Sequence, residues 1–232
     1  MSPLCWEITA AVAFVGSHFL LSHPLRGTVV RAIGDGPFLG LYSLVALATF
    51  GWLALAFRAV PAEAPFWAVG DGLWIIATVI MFFASVMFVG SLLGNPALPG
   101  PPRPASALPQ PRGVFSVTRH PMMWSFALWG VAHILVAPTP ANIVLAKTII
   151  ILALVGAALQ DRKKEKLQPD TWRAWEAHTS YWPLGAILSR RVKFTSAGVI
   201  PAVGGIALWL AATWAHLPLA GMPAGIWRWI GG

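Results

Sequence analysis

Six stretches of the chain are apolar for long enough to cross a bilayer: about 4–22, 38–57, 72–93, 122–136, 143–159 and 197–214. Backbone polar groups find no water in hydrocarbon and must bond within their own segment, so a spanning helix takes about 20 mostly apolar residues. The pattern therefore predicts an all-α integral membrane bundle of about six transmembrane helices, one domain over 1–232. The fourth and fifth stretches are short and are joined by Ala137-Pro138-Thr139-Pro140, a tight turn that makes them an antiparallel hairpin. Residues 94–110 carry too many prolines for a helix and are expected to run extended along the membrane face. Residues 161–182 mix basic side chains with Trp172, Trp175, Tyr181 and Trp182, the composition of a segment lying at the interface. Two readings of those aromatics stand: headgroup anchors, or walls of a cofactor site on that face.

Composition agrees with the pattern. Hydrophobic residues make up 57% and charged residues 10%, against about 45–50% and about 25% in soluble domains. A water-soluble domain, a disordered chain, collagen, a coiled coil and a disulfide-dense scaffold are all excluded. Cys5 is the single cysteine, so no intrachain disulfide exists. No basic stretch or small-residue cleavage site accompanies 4–22, which reads as a retained first span.

A net charge of +8 would suggest nucleic acid for a soluble domain, but its distribution points elsewhere. Thirteen of the 16 Lys and Arg fall in the loops after the first, third and fifth spans: Arg26 and Arg31; Arg103, Arg112 and Arg119; then eight between Arg162 and Lys193. Arg58 and Arg228 lie on the other side, and Lys147 near the start of the fifth span. Basic loops stay cytoplasmic, which predicts a multi-pass protein of the cell inner membrane with both termini on the non-cytoplasmic side. The basic loops then meet anionic headgroups of the lipid bilayer, and no nucleic-acid partner is expected. Trp67, Trp74, Trp209, Trp214, Trp227 and Trp229 fall at outer span ends, where amphipathic rings settle.

Ionisable groups at membrane depth are costly and are functional candidates by default; here they are Glu7, His18, His120, His133, Lys147 and His216. Each histidine is either a hydrogen-bonded core residue or a ligand. His18 on the first span and His133 on the fourth supply the neutral imidazoles that haem b needs, whereas no Cys-x-x-Cys-His is present for a c-type haem. Gly16 and Gly130 leave room for a flat macrocycle, or else serve helix crossings. His18 lies about 4 residues from the inner boundary and His133 about 12, a mismatch of roughly 12 Å that straight parallel helices do not bridge.

His120 sits in SVTRHPMMW with Pro121 in the first helical turn. Arg119 and His120 therefore present donors at a helix N-terminus, an anion-friendly place, or simply start the helix and anchor it. His23-Pro24 lies at similar depth, which allows the two His-Pro pairs to face one another. Glu7 and Lys147 are expected to form an outer-leaflet ion pair. No hydrolase triad, phosphate-binding loop or dinucleotide fingerprint is present.

The segments FVGSHFLLSHPLR, GVFSVTRHPMMWSFALWGVAHILV and LVGAALQDRKKEKLQPDTWRAWEAHTSYWP closely resemble the NnrU family of bacterial membrane proteins, over nearly the whole chain through about Arg191. The resemblance implies a part in denitrification, in the expression or activity of nitrite and nitric oxide reductases. The more distant 15-cis-zeta-carotene isomerase resembles this family and binds haem b, with histidines at positions that match His18 and His133. Gly130 stands where the isomerase has a cysteine, so the resemblance implies bis-histidine ligation of iron without the thiolate alternative. A third similarity is to isoprenylcysteine and phospholipid methyltransferases, whose Arg-His-Pro helix start matches Arg119, His120 and Pro121 and there binds S-adenosylmethionine. Met123 and Ser125 replace the Tyr and Gly of that motif, and Asp161 and Glu165 lie near its acidic pair. These resemblances imply either a haem-binding accessory protein, with iron on His18 and His133, or an enzyme acting on a lipophilic small molecule: a haem-dependent cis-trans isomerase or an S-adenosylmethionine-dependent methyltransferase using Arg119 and His120.

Overall fold

A computed structural model describes residues 1–98, 104 and 108–230. The described residues are helical without any strand. The elements are α1 (Pro3–Ser22), α2 (Arg26–Ile33), α3 (Asp35–Ala59), α4 (Asp71–Ser91), α5 (Val114–Val117), α6 (Pro121–Val136), α7 (Pro140–Leu167), α8 (Pro169–His178), α9 (Gly185–Leu188), α10 (Val199–Ala220) and α11 (Trp227–Ile230). Five helices are long and apolar enough to cross a membrane, and α6 is the shorter sixth. The expectation of an all-helical membrane bundle is met, with boundaries that move where charged residues extend a helix.

Local signals set the helix ends. The Ser2 hydroxyl accepts the Cys5 N–H at the start of α1, and Thr139 accepts the Asn142 N–H at the start of α7. Each helix also has proline in its first turn, where a missing N–H costs nothing. The 28 residues of α7 make a rod of about 42 Å, well beyond the ~30 Å hydrocarbon core. Its last turns carry Asp161 to Lys166 beyond the apolar run until Pro169 begins α8. Residues 161–182 are thus not one interfacial segment: they are the end of α7, then α8, then a short return.

The long helices pack in the order α3, α1, α7, α6, α4, α10. Small residues allow close approach, since packing between helices in lipid rests on van der Waals contact and not on exclusion of water. Ala10, Ala11, Phe14, Leu53 and Ala56 form one buried cluster between α1 and α3. A Cβ on Gly130 would lie 2.9 Å from the Ala146 carbonyl oxygen, and one on Gly205 would lie 2.6 Å from the Val86 Cα. Gly130 therefore serves the α6–α7 crossing. Outward faces carry Leu44, Leu47, Leu55 and Val203, all exposed, as lipid contact demands.

One end of the bundle collects Arg26, Arg119, Arg162 and Lys163. The opposite end joins Arg228 to Asp71 at 3.3 Å and the Trp67 indole N–H to the Leu135 carbonyl at 3.2 Å. Residues near 1 and near 228 share that opposite end.

Three expectations change here. Lys147 is exposed and forms no ion pair with Glu7 among the described residues; Glu7 is buried without a hydrogen-bond partner. The first part of 94–110 is anchored, because the Ala97 carbonyl accepts from Gln160 at 2.7 Å and Ala97 packs with Val114, Phe115, Trp172 and Trp175. Residues 99–103, with Arg103, and 105–107 lie outside the described residues. Trp172 and Trp175 are each 1% exposed; they form a core under α8 and are neither headgroup anchors nor cofactor walls.

Candidate functional site

His18 stands one turn before the end of α1. Its Nδ1 lies 2.7 Å from the Phe14 carbonyl oxygen. A carbonyl only accepts, so Nδ1 carries the proton and Nε2 keeps its lone pair, the arrangement that readies a histidine as a ligand. The edges of Phe14 and Tyr42 hold the ring, with centroids at 4.5 and 5.5 Å. His18 lines a cavity of about 430 Å³ with Tyr42, Met123, Phe126, Gly156 and Lys163, within the roughly 300–1,000 Å³ typical of small-molecule pockets. Its α7 wall repeats at Ile149, Leu152, Gly156, Gln160 and Lys163, the spacing of one helix face.

Ser22, His23 and Lys163 also line an adjoining cavity with Arg26, Arg162 and Lys166. An apolar cleft therefore opens onto a strongly basic mouth. His23 holds the junction: its Nδ1 is 2.7 Å from the Ser22 hydroxyl, while its Nε2 is buried with no partner.

A second constellation lies at the same end. The Thr118 hydroxyl donates to the Tyr181 carbonyl at 2.8 Å, the Arg119 N–H to the Ser180 carbonyl at 2.8 Å, and the Trp124 indole N–H to the Tyr181 carbonyl at 2.9 Å. These bonds pin the return after α8 against the start of α6. Arg119 then reaches Asp161 through Nε at 2.9 Å and Nη2 at 2.6 Å, and Glu176 at 3.0 Å. His120 Nε2 meets the other Asp161 oxygen at 2.7 Å. Burial pushes the Glu176 carboxyl above its ordinary value; Arg119 opposes this, while Asp161 and Glu165 add to it. The Tyr181 phenol is raised too, first by burial and then by Asp161, against Arg119; its hydroxyl donates to the Leu154 carbonyl at 2.6 Å. Arg119 and His120 line neither of the two cavities, and their donors are directed at carboxylates of this chain. Their geometry is that of a lock between α6, α7 and α8.

His133 lies elsewhere. Its Nδ1 bonds the Trp129 carbonyl at 2.8 Å, and its own carbonyl accepts from the Asn142 amide at 2.9 Å. Asn142 stands near the start of α7, whereas the α7 wall of the His18 cavity begins at Ile149 and continues to Lys163. Seven residues of α7 separate Asn142 from the nearest part of that wall, on the order of 10 Å at helical rise. His18 and His133 are therefore not brought together: His133 has Trp129 and His216 as ring neighbours, at 4.0 and 6.0 Å. Neither tilt nor extension of α1 removes the mismatch in depth, and Gly130 is packed on Ala146 and Ile150, so it opens no space for a macrocycle. The two His-Pro pairs are also separate, since His23 faces the cleft and His120 faces Asp161.

Sequence reasoning missed His23, Tyr42 and Lys163 as cavity residues, although the repeat along α7 could have shown that Gly156, Gln160 and Lys163 share a face. It also missed Glu176, whose pairing depends on α8 folding back.

No curated protein and no solved structure matches the chain. A family model described as NnrU protein matches residues 8–224, which take in the cleft, the Arg119 lock and both outer histidines. The chain belongs to the NnrU family.

Proposed function

We propose that the protein binds haem b in the cleft between α1 and the α6–α7 hairpin, where His18 would hold the iron, and supports nitrite and nitric oxide reduction as an accessory of the inner membrane. One observation carries the reading: the bare Nε2 of His18 stands on an apolar wall that leads directly to a cluster of cations. That pairing suits a macrocycle with an apolar body and two acidic side chains, because burial favours the ring and Lys or Arg the carboxylates.

His18 would hold the iron, and the Phe14 carbonyl would fix the tautomer and strengthen the nitrogen as a donor. Lys163, Arg26 and Arg162 would receive the acidic groups. His23, with its partnerless Nε2, is a second imidazole in the same wall. When bound, the haem would supply one-electron exchange and ligand binding at iron. The basic mouth faces the cytoplasm by the positive-inside preference, which sets both termini in the periplasm.

The test is the absorption spectrum of detergent-purified protein from haem-replete cells, oxidised and reduced. A Soret band that His18→Ala removes and His133→Ala leaves supports this assignment. Colourless protein with iron far below one per chain overturns it, as does a band that survives His18→Ala.

A further inference from the structure

At the end of the bundle away from the cleft, two imidazoles from different helices are held in matching states. His133 on α6 and His216 on α10 each place Nδ1 against the carbonyl four residues earlier, Trp129 at 2.8 Å and Ala212 at 2.7 Å. A carbonyl accepts only, so both rings are protonated at Nδ1 and keep the Nε2 lone pair. Their centroids are 6.0 Å apart with planes at 31°. Trp129 packs on the His133 ring at 4.0 Å and restricts its rotation, while His216 is only half-buried and open to exchange.

We infer that His133 and His216 form a cation site for one imidazole-seeking transition metal ion of the zinc and copper class. With metal–nitrogen bonds of about 2.0–2.1 Å, each ring centroid lies about 3.2 Å from the ion, so two rings that share it stand roughly 5–6 Å apart. The observed spacing falls at the wide end of that range. Each histidine donates its other nitrogen to a backbone carbonyl, the outer-shell bond that metal-ligating histidines ordinarily have. Backbone bonding costs a neutral imidazole pair nothing in charge, and two neutral ligands suit metals that accept nitrogen better than hard cations that demand oxygen. Two protein ligands leave the remaining positions to water, so the ion exchanges and is not a structural closure. The site is independent of the haem reading, because it shares no residue with the cleft and lies about 10 Å from its nearest wall along α7.

Zinc and Cu²⁺ are the probes, titrated into full-length protein in detergent with a purification tag free of histidine. One equivalent should bind, and the Cu²⁺ spin spectrum should show two coordinated imidazole nitrogens. His216→Gln should weaken zinc binding by about tenfold or more and leave one imidazole, with an unchanged unfolding temperature because His216 stands outside the buried core. His133→Ala should do the same, and His18→Ala should leave zinc affinity as it was. Zinc affinity equal in wild type and His216→Gln, or a Cu²⁺ spectrum that keeps both nitrogens in that variant, overturns the site. Loss of the Soret band in His18→Ala with zinc binding retained separates the two readings.

Discussion

The imidazole Nε2 of His120 lies 2.7 Å from one oxygen of Asp161, and the other oxygen of that carboxylate is held by the Arg119 guanidinium. Two consecutive residues at the start of α6 thus converge on one acid on α7. A carboxylate accepts only, so His120 donates from Nε2, while its buried Nδ1 has no partner.

Removing Asp161 leaves the buried His120 without an acceptor and Arg119 with Glu176 alone. The Arg119 side chain is 12% exposed and that of His120 1%, so Asp161→Ala should cost about 3–5 kcal/mol. Denaturation in detergent measures it. A loss below about 1 kcal/mol would mean that Glu176 alone can hold Arg119.

Glu176 gives the lock a pH dependence. Its folded pKa is raised by burial, and by Asp161 and Glu165, against Arg119. A raised acid is a proton bound more tightly in the folded state, so its contribution to stability is complete below the unfolded value of about 4.3 and is lost as pH rises through the folded one. Wild type should therefore lose stability relative to Glu176→Gln as pH increases from about 4 towards neutrality, since Gln keeps an acceptor for Arg119 and does not titrate. Unfolding temperatures of the two proteins across that range decide it; parallel curves refute it.

Lys163 joins the apolar cleft to its basic mouth. On the haem reading proposed above, Lys163→Gln should leave the spectrum unchanged in shape while weakening haem retention by several-fold, at about 1 kcal/mol for one cation near an anionic group. Transfer of haem to an apoprotein acceptor reads the rate. An altered Soret position would instead place Lys163 beside the iron.

The six apolar runs were legible because hydrocarbon requires long unbroken helices, and α1, α3, α4, α6, α7 and α10 all fall on them. The continuation of α7 was not: Asp161 to Lys166 read as a loop by charge, although Arg, Lys, Glu and Gln are good helix formers and only Pro169 stops them. The candidate site was half legible for the same reason. His18 could be picked out as an imidazole at depth, but its companions lie on three other helices, and which face of α7 they share emerges only once α1 packs there. His133 misled because one-dimensional counting gives depth and no lateral position; its ring neighbour is His216, 83 residues away in sequence.

Glycine positions separate packing from lipid exposure. A Cβ at Gly205 would stand 2.6 Å from the Val86 Cα and 2.9 Å from its nitrogen, both backbone atoms that cannot swing aside. A Cβ at Gly40 meets nothing within 4 Å. Gly205→Ala must then push α10 away from α4, at about 1–3 kcal/mol, the usual cost of overpacking. Gly40→Ala adds no clash and replaces a helix-interior glycine, gaining about 0.5–1 kcal/mol. Unfolding of both variants in the same detergent gives opposite signs if α10 rests directly on the α4 backbone. Equal effects would show that the α4–α10 contact yields at no cost, and that the helix carrying His216 is only loosely attached to the rest of the bundle.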